Sequence, residues 1–159
     1  MYANHKPSAK GYYHRPGTPE HPGRDYVFSS PDPMFCFGFG LSYTTFEYSA
    51  LKIENHLADK GQVQVSCQLK NTGKRRGAEV VQLYIRDVVS SVTTPVRALK
   101  DFSKIELDPG ESRTVTLSLT EDDLKLWNED MQFVLEPGTF EVYVGASVED
   151  VRLKGKFDI

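Results

Sequence analysis

Apolar side chains recur at every second position in several short stretches of the chain. The clearest stretch places Val63, Val65, Cys67 and Leu69 between polar residues, which predicts a strand with one buried and one solvated face. Comparable patterns occur at residues 45–50, 79–86, 114–119, 133–135, 140–145 and 151–159. Short turn sequences rich in Asn, Pro and Gly separate these ranges. About seven or eight strands at this spacing, with no long amphipathic helix between them, predict an all-β antiparallel sandwich.

Three connecting segments are less regular. Residues 97–107 fit either a helix or a strand with a bulge, and we favour the strand because the neighbouring segments are strands. Pro95 places residues 93–96 in a loop. Thr120 followed by three acidic residues resembles a helix N-cap, so we expect residues 122–127 to form one helical turn.

The first 35 residues differ in composition from the rest. Six of the nine prolines lie there, and proline removes amide donors and fixes φ, which excludes a regular helix or a central strand. The stretch is also too aromatic for a typical flexible linker. We therefore expect an extended arm over residues 1–35 that packs on a neighbouring surface, followed by one sandwich domain over residues 36–159. The arm's candidate contacts with a domain or a glycan are Tyr12, Tyr13, Tyr26 and Phe28.

Charge and cysteine content exclude several classes of partner. The formal net charge is −3, and the one basic cluster, residues 74–76, lies in a predicted turn, so we expect no nucleic-acid partner. No apolar stretch approaches the roughly 20 residues of a membrane helix, so we expect no membrane contact. Cys36 and Cys67 leave a disulfide open, although two cysteines are no framework and we favour free thiols. With four scattered histidines they form no recognisable zinc pattern, and we expect no metal or cofactor.

The acidic residues do not form a recognisable catalytic pair. Catalysis by paired carboxylates needs two acids that face each other across a cleft. Here the acids occur as sequence neighbours at 122–123, 129–130 and 149–150, in predicted turns or at strand ends. We interpret them as solvated surface residues.

Other candidate chemistry is equally sparse. No Gly-x-Ser-x-Gly nucleophile motif is present. Gly38 and Gly40 lack the helix and lysine of a phosphate loop, so we expect them to allow close passage of the backbone. Trp127, the single tryptophan, fits either sugar stacking or packing, and packing is favoured because Leu124 and Leu126 precede it.

Residues 35–48 (FCFGFGLSYTTFEY) contain a specific motif. They resemble the Pro-Phe-Gly-Tyr-Gly-Leu-Ser-Tyr-Thr-x-Phe signature that opens the fibronectin type III-like domain of family 3 glycoside hydrolases, mostly β-glucosidases and β-xylosidases. Cys36 stands where proline is usual, and Phe39 stands where tyrosine or histidine is usual. Residues 23–33 resemble the linker into that domain, and the resemblance continues downstream through residues 77–84, 95–102, 107–111, 133–138 and 143–147.

The resemblance implies an immunoglobulin- or fibronectin type III-like sandwich that carries no catalytic site of its own. In that family the nucleophile and the acid/base belong to preceding domains, and no residue of this chain aligns with either one. The implied partners are the catalytic domains of a parent β-glucosidase-type enzyme, which the domain would stabilise, with an oligo- or polysaccharide as a second candidate.

The family also implies a periplasmic or secreted location, although the N-terminal residues contain no apolar signal-peptide core. The alternative function is a stand-alone carbohydrate-binding or adhesion module. The least favoured function is that the chain is itself a hydrolase.

Overall fold

The computed structural model describes residues 33–159, which form two antiparallel sheets packed face to face. In chain order the elements are β1 (Phe46–His56), α1 (Leu57–Lys60), β2 (Gln62–Asn71), β3 (Gly77–Asp87), β4 (Ala98–Leu107), β5 (Ser112–Thr120), α2 (Glu121–Leu124), β6 (Leu126–Trp127), β7 (Phe133–Val134), β8 (Thr139–Gly145) and β9 (Val151–Asp158). One sheet has the order β1-β2-β5, the other has the order β4-β3-β8-β9, and β6 and β7 form a separate hairpin. The predicted all-β sandwich is confirmed.

The core lies between the sheets and is built from alternate residues of the facing strands. The alternation in β2 is confirmed, because its apolar residues are at most 2% exposed: Val63, Val65, Cys67 and Leu69. The four-stranded sheet contributes a matching set of buried residues: Val81, Leu83, Ile85, Phe140, Val142, Val144 and Phe157. Burial of one such side chain contributes roughly 1.5–3 kcal/mol. The sandwich is therefore a stable scaffold for what lies on its surface.

Three strand pairings contain a bulge, one of them between β8 and β9 at Val144 and Gly145. β1 extends beyond the predicted range of residues 45–50, and its pairing with β2 shifts next to Ala50, whose φ is 51°. The pairing of β3 with β4 shifts between Leu83 and Tyr84. β4 is thus the strand with a bulge that we favoured from the sequence, and the loop around Pro95 precedes it.

The two helical turns differ from the sequence-based expectations. α1 was not predicted, and it ends at Gly61, which adopts the left-handed conformation with a φ of 66°. At α2 the predicted N-cap is present: the N–H of Thr120 donates to Asp123 Oδ2 at 2.8 Å, as in a capping box. The expected helix over residues 122–127 is wrong beyond Leu124, because β6 pairs with β7 instead. Among residues 33–159, neither helix is long and apolar enough to cross a membrane.

A second apolar cluster lies on the outer face of the four-stranded sheet. Tyr84, Tyr143 and Val148 are buried in it, and Cys36 packs against them. The guanidinium carbon of Arg97 lies 4.6 Å from the centre of the Tyr143 ring, which adds a cation–π contact. The chain before β1 and the loop after β8 both cross this face and cover it.

Candidate functional site

The segment that precedes β1 begins with a tight turn over the outer face of the four-stranded sheet. In turn 36–39 the N–H of the last residue donates to the carbonyl of the first at 3.1 Å, and Gly38 has a φ of 80°. A Cβ at Gly38 would overlap the carboxamide of Gln82 and lie 2.7 Å from the Tyr84 hydroxyl. The expected close backbone passage is therefore confirmed at Gly38. It is wrong at Gly40, where a Cβ would meet open space.

Side chains of β3 hold this turn in place. Gln82 Nε2 donates to the carbonyl oxygens of Gly38 at 3.0 Å and of Ala146 at 2.6 Å. The hydroxyl of Tyr84 donates to Gln82 Oε1 at 2.6 Å, so the buried carboxamide is bonded at both of its polar atoms. One glutamine thus joins the segment before β1 to the loop after β8.

A second anchor fixes the other end of the segment, at the corner between β2 and β3. Thr44 Oγ1 donates to Asn71 Oδ1 at 2.7 Å, and the N–H of Gly73 donates to the same oxygen at 3.0 Å. Asn71 Nδ2 donates to the carbonyl oxygens of Arg75 at 2.8 Å and of Leu107 at 3.0 Å. The fully buried amide therefore has four hydrogen bonds, and it links the segment to both sheets.

Apolar side chains stand out from the segment into solvent. We call this set the apolar face, and its members are Met34, Phe35, Phe37, Phe39, Leu41 and Tyr43. Leu41 is 90% exposed and Tyr43 is 92% exposed. Scattered exposed apolar residues are common in proteins, but a contiguous set of this kind marks an interaction surface.

A groove of about 610 Å³ runs beside the apolar face, between the segment and the outer side of β3 and β4. Glu79 and Tyr48 lie at its polar end. Burial raises the pKa of Glu79, and burial together with the nearby Glu79 charge raises the pKa of Tyr48. The buried Tyr48 hydroxyl lies beside the Glu79 carboxyl, but within the described residues it makes no hydrogen bond of regular geometry. Arg152, also at this end, is paired with Asp150 through Nη2 and Oδ2 at 2.8 Å.

The β6–β7 hairpin carries a second exposed group. Trp127 and Phe133 pair across the hairpin with their ring centres 5.2 Å apart, and Trp127 is 58% exposed. The structure places this tryptophan on the surface and not in the core, although the preceding leucines favoured packing. Its neighbour in space, Phe133, lies six positions away, and the sequence pattern does not indicate this contact.

The sequence relationships of the chain agree with this architecture. Residues 79–148, from β3 to the loop after β8, match the profile described as "Fibronectin type III-like domain". This part of the chain is a fibronectin type III-like domain. The chain is 48% identical over 130 residues to a β-xylosidase of Formosa agariphila and 41% identical over 150 residues to a periplasmic β-glucosidase of Salmonella typhimurium. It also superposes on a β-glucosidase of Listeria innocua in complex with glucose, with a TM-score of 0.79 and 36% identity.

These relatives are much longer proteins. The matches cover 81%, 91% and 99% of this chain but only 18%, 19% and 22% of the three relatives, in the order given. The predicted resemblance to the fibronectin type III-like domain of family 3 glycoside hydrolases is thereby confirmed. The chain corresponds to about a fifth of each such protein.

Three of the acidic sequence neighbours serve local structure. Asp122 pairs with Lys125 at 3.0 Å, Asp123 caps α2, and Asp150 pairs with Arg152. In residues 33–159 no three His, Cys, Asp or Glu side chains gather in a way that could hold a metal ion.

Cys36 and Cys67 are free thiols in separate places. Cys67 is buried in the core between the sheets, and Cys36 lies half-buried at the outer cluster. Burial raises the pKa of Cys67 to about 11, so this thiol is protonated and inert at neutral pH.

The other predicted contact residues cannot be placed, because Tyr12, Tyr13, Tyr26 and Phe28 lie outside the described residues. The boundary of the arm at residue 35 therefore stays a prediction. The apolar face was not predicted. Its signal is the apolar residue at every odd position from 35 to 43, which resembles a strand in sequence but belongs to an irregular segment.

Proposed function

We propose that this fibronectin type III-like domain is a non-catalytic accessory domain of a family 3 glycoside hydrolase of the β-glucosidase type, and that it packs against the catalytic domains and stabilises them. The observation that carries the proposal is the apolar face. Six apolar side chains in ten consecutive positions are held out in solvent by anchors at Gly38 and Thr44. Hydrogen bonds already hold this segment in place, so its exposed apolar side chains are not needed for its folding and are free to contact a partner.

The position of the apolar face favours an upstream partner. The segment that bears it lies in the N-terminal third of the chain, so a domain N-terminal to this chain would be covalently tethered to it. Tethering makes the contact intramolecular and raises the effective concentration of the partner into the millimolar range or above. Burial of one large apolar side chain contributes roughly 1.5–3 kcal/mol, so even two or three of the six would bind a tethered domain firmly.

In this proposal the hydrolysis belongs to the preceding domains. Among residues 33–159, Asp122 and Asp150 are engaged in ion pairs and Asp123 in a helix cap, which supports a non-catalytic role for these acids. A periplasmic or secreted location of the parent enzyme is part of the proposal, supported by the relative named as a periplasmic β-glucosidase.

Substitutions on the apolar face test the proposal in the parent enzyme. Leu41→Asp and Tyr43→Asp place a charge where a side chain is about nine-tenths exposed in this domain, so the domain itself should fold normally. We expect both variants to lower the temperature at which β-glucosidase activity is lost irreversibly, by several degrees, because a charge is buried in the contact. Met131→Asp, at a 75% exposed apolar position in the β6–β7 hairpin, is the control and should not lower this temperature. Equal behaviour of all three variants would refute docking through the apolar face.

The exposed Trp127–Phe133 pair supports a second candidate function, a carbohydrate-binding or adhesion module that acts alone. This candidate predicts that the isolated chain binds a glycan and that no catalytic domain associates with it. The Leu41→Asp and Tyr43→Asp variants separate the two functions, because an independent module predicts that neither changes the stability of a catalytic domain. Titration of the isolated chain with soluble β-glucans and a chromogenic β-glucoside tests binding and turnover. Turnover that survives repurification would instead support a hydrolase and would overturn both.

A further inference from the structure

The β6–β7 hairpin is amphipathic in a way that leaves its aromatic side free. Leu126 faces Val134 across the hairpin, and both are half-buried toward the body of the domain. Trp127 faces Phe133, and these rings are 58% and 43% exposed, with an angle of 33° between their planes. The hairpin is thus already packed through its aliphatic pair, and the aromatic pair forms a continuous apolar surface in solvent.

The loop that joins the two strands is well ordered by its own hydrogen bonds. Asn128 Oδ1 accepts from the N–H of Gln132 at 2.9 Å, and the backbone N–H of Asn128 donates to the carbonyl of Gln132 at 3.0 Å. The N–H of Met131 donates to the carbonyl of Asn128 at 3.0 Å. A ligand that lands on the two rings therefore meets a surface fixed in advance, which reduces the entropy lost on binding.

The charge around the rings restricts the ligand. Residues 121–134 contain five acidic residues and one lysine. That lysine, Lys125, lies with Nζ 5.9 Å from the centre of the Phe133 ring, and it is neutralised by Glu121 and Asp122, each at 3.0 Å, which places two carboxylates near this ring. Such a surface repels nucleic acids, anionic lipids and other polyanions. It suits an uncharged ligand that offers an apolar face to the rings and hydroxyl donors to the surrounding carboxylates, which is the chemistry of a neutral sugar.

The hairpin and the apolar face lie at different ends of the sandwich. The hairpin follows the end of β5 and precedes β8, whereas the Thr44 anchor lies where β2 ends and β3 begins. β2 has ten residues, and at 3.3 Å per residue these ends are about 30 Å apart. A ligand on the hairpin would not compete with a domain docked on the apolar face.

We propose that Trp127 and Phe133 form a stacking platform that binds a neutral oligo- or polysaccharide. The rings cover the C–H face of successive sugar residues, and the carboxylates of Glu121 and Asp122 near Phe133 accept hydrogen bonds from hydroxyl groups. This site does not depend on the proposed docking function: either can hold without the other.

The single tryptophan makes the test direct, because all indole fluorescence of the chain comes from the proposed site. The 159-residue chain is titrated with laminarin, barley β-glucan and xylan while tryptophan emission is recorded, and retention is measured by electrophoresis through gels that contain the same polysaccharides. We expect a saturable change in emission and retarded migration with at least one of the three. Dextran sulfate, a polyanionic sugar, should cause neither.

Variants separate stacking from structural effects. We expect Trp127→Ala and Phe133→Ala to weaken retention at least tenfold and Trp127→Tyr to keep most of it, while circular dichroism stays native. Tyr43→Ala, which removes an even more exposed aromatic ring from the apolar face, should bind like the original chain. The proposal is overturned if emission and migration do not respond to any neutral polysaccharide, if dextran sulfate binds as well, or if Tyr43→Ala weakens retention as much as Trp127→Ala.

Discussion

Replacement of Asn71 by alanine tests how the segment before β1 is fixed to the sandwich. Asn71 is fully buried, and its side chain makes four hydrogen bonds, to the backbone of residues 73, 75 and 107 and to the hydroxyl of Thr44. Alanine cannot replace any of them.

The expected loss follows from these contacts. One hydrogen bond contributes about 0.5–1.5 kcal/mol net, and a buried group left without a partner costs about 1–3 kcal/mol. The carbonyl of Leu107 lies in the core, whereas Thr44 is half-exposed and finds water. We therefore expect Asn71→Ala to lower the free energy of unfolding by about 3 kcal/mol. In a domain of this size that corresponds to a fall in melting temperature of roughly 6–12 °C.

Urea unfolding followed by far-ultraviolet circular dichroism measures the loss, and Asn55→Ala is the matched control. The Asn55 side chain makes two hydrogen bonds, to Leu57 and Asp158, but it lies at the surface, where water replaces them. We expect this control to lose less than about 1 kcal/mol. Similar losses in the two variants would show that burial of the Asn71 amide does not govern its contribution.

Three further predictions concern the groove and the two thiols. Gly38→Ala should lower the free energy of unfolding more than Gly61→Ala, as measured by thermal unfolding. Both glycines have a positive φ, which strains a residue that has a Cβ by about 1–2 kcal/mol, but only a Cβ at Gly38 would also overlap another side chain. Equal losses in the two variants would argue against the close contact. Burial raises the pKa of Glu79 in the folded chain, so the unfolded chain releases this proton at a lower pH than the folded chain does. The free energy of unfolding therefore falls as pH rises above the ordinary glutamate range. Glu79→Gln should therefore raise the melting temperature more at pH 7 than at pH 4, and a gain independent of pH would contradict this. With Ellman's reagent at pH 8 the half-buried Cys36 should react in the folded chain and the buried Cys67 only in urea; rapid reaction of both would be the opposite result.

Those parts of the fold that depend on local pattern could be predicted from the sequence. The alternation from Val63 to Leu69 identifies a strand and its buried face, because a strand half-covered by another sheet needs that pattern. Thr120 and the acids after it identify the start of α2 correctly, but its end depends on the pairing of Trp127 with Phe133. The exposure of Trp127 could not be predicted from the leucines that precede it, because it is decided across the hairpin.

The candidate site depends on contacts between distant residues, which a local pattern does not reveal. Residues 35–43 alternate as regularly as a strand, yet the segment turns at Gly38 and is held by Gln82, which is 44 positions further along the chain. Cys36 contacts Ser147, 111 positions away. The family motif at residues 35–48 gave the correct domain type, but only the structure explains its glycine and threonine as anchors that hold apolar side chains in solvent.

Hydrogen–deuterium exchange tests most directly whether the domain docks through its apolar face. Exchange of backbone amides is compared by mass spectrometry between the isolated chain and the same residues within the parent enzyme. The account predicts slower exchange for peptides that cover residues 33–45 in the parent enzyme, and unchanged exchange for peptides that cover the hairpin at residues 126–134. Unchanged exchange at residues 33–45, with protection elsewhere on the domain, would contradict docking through this face.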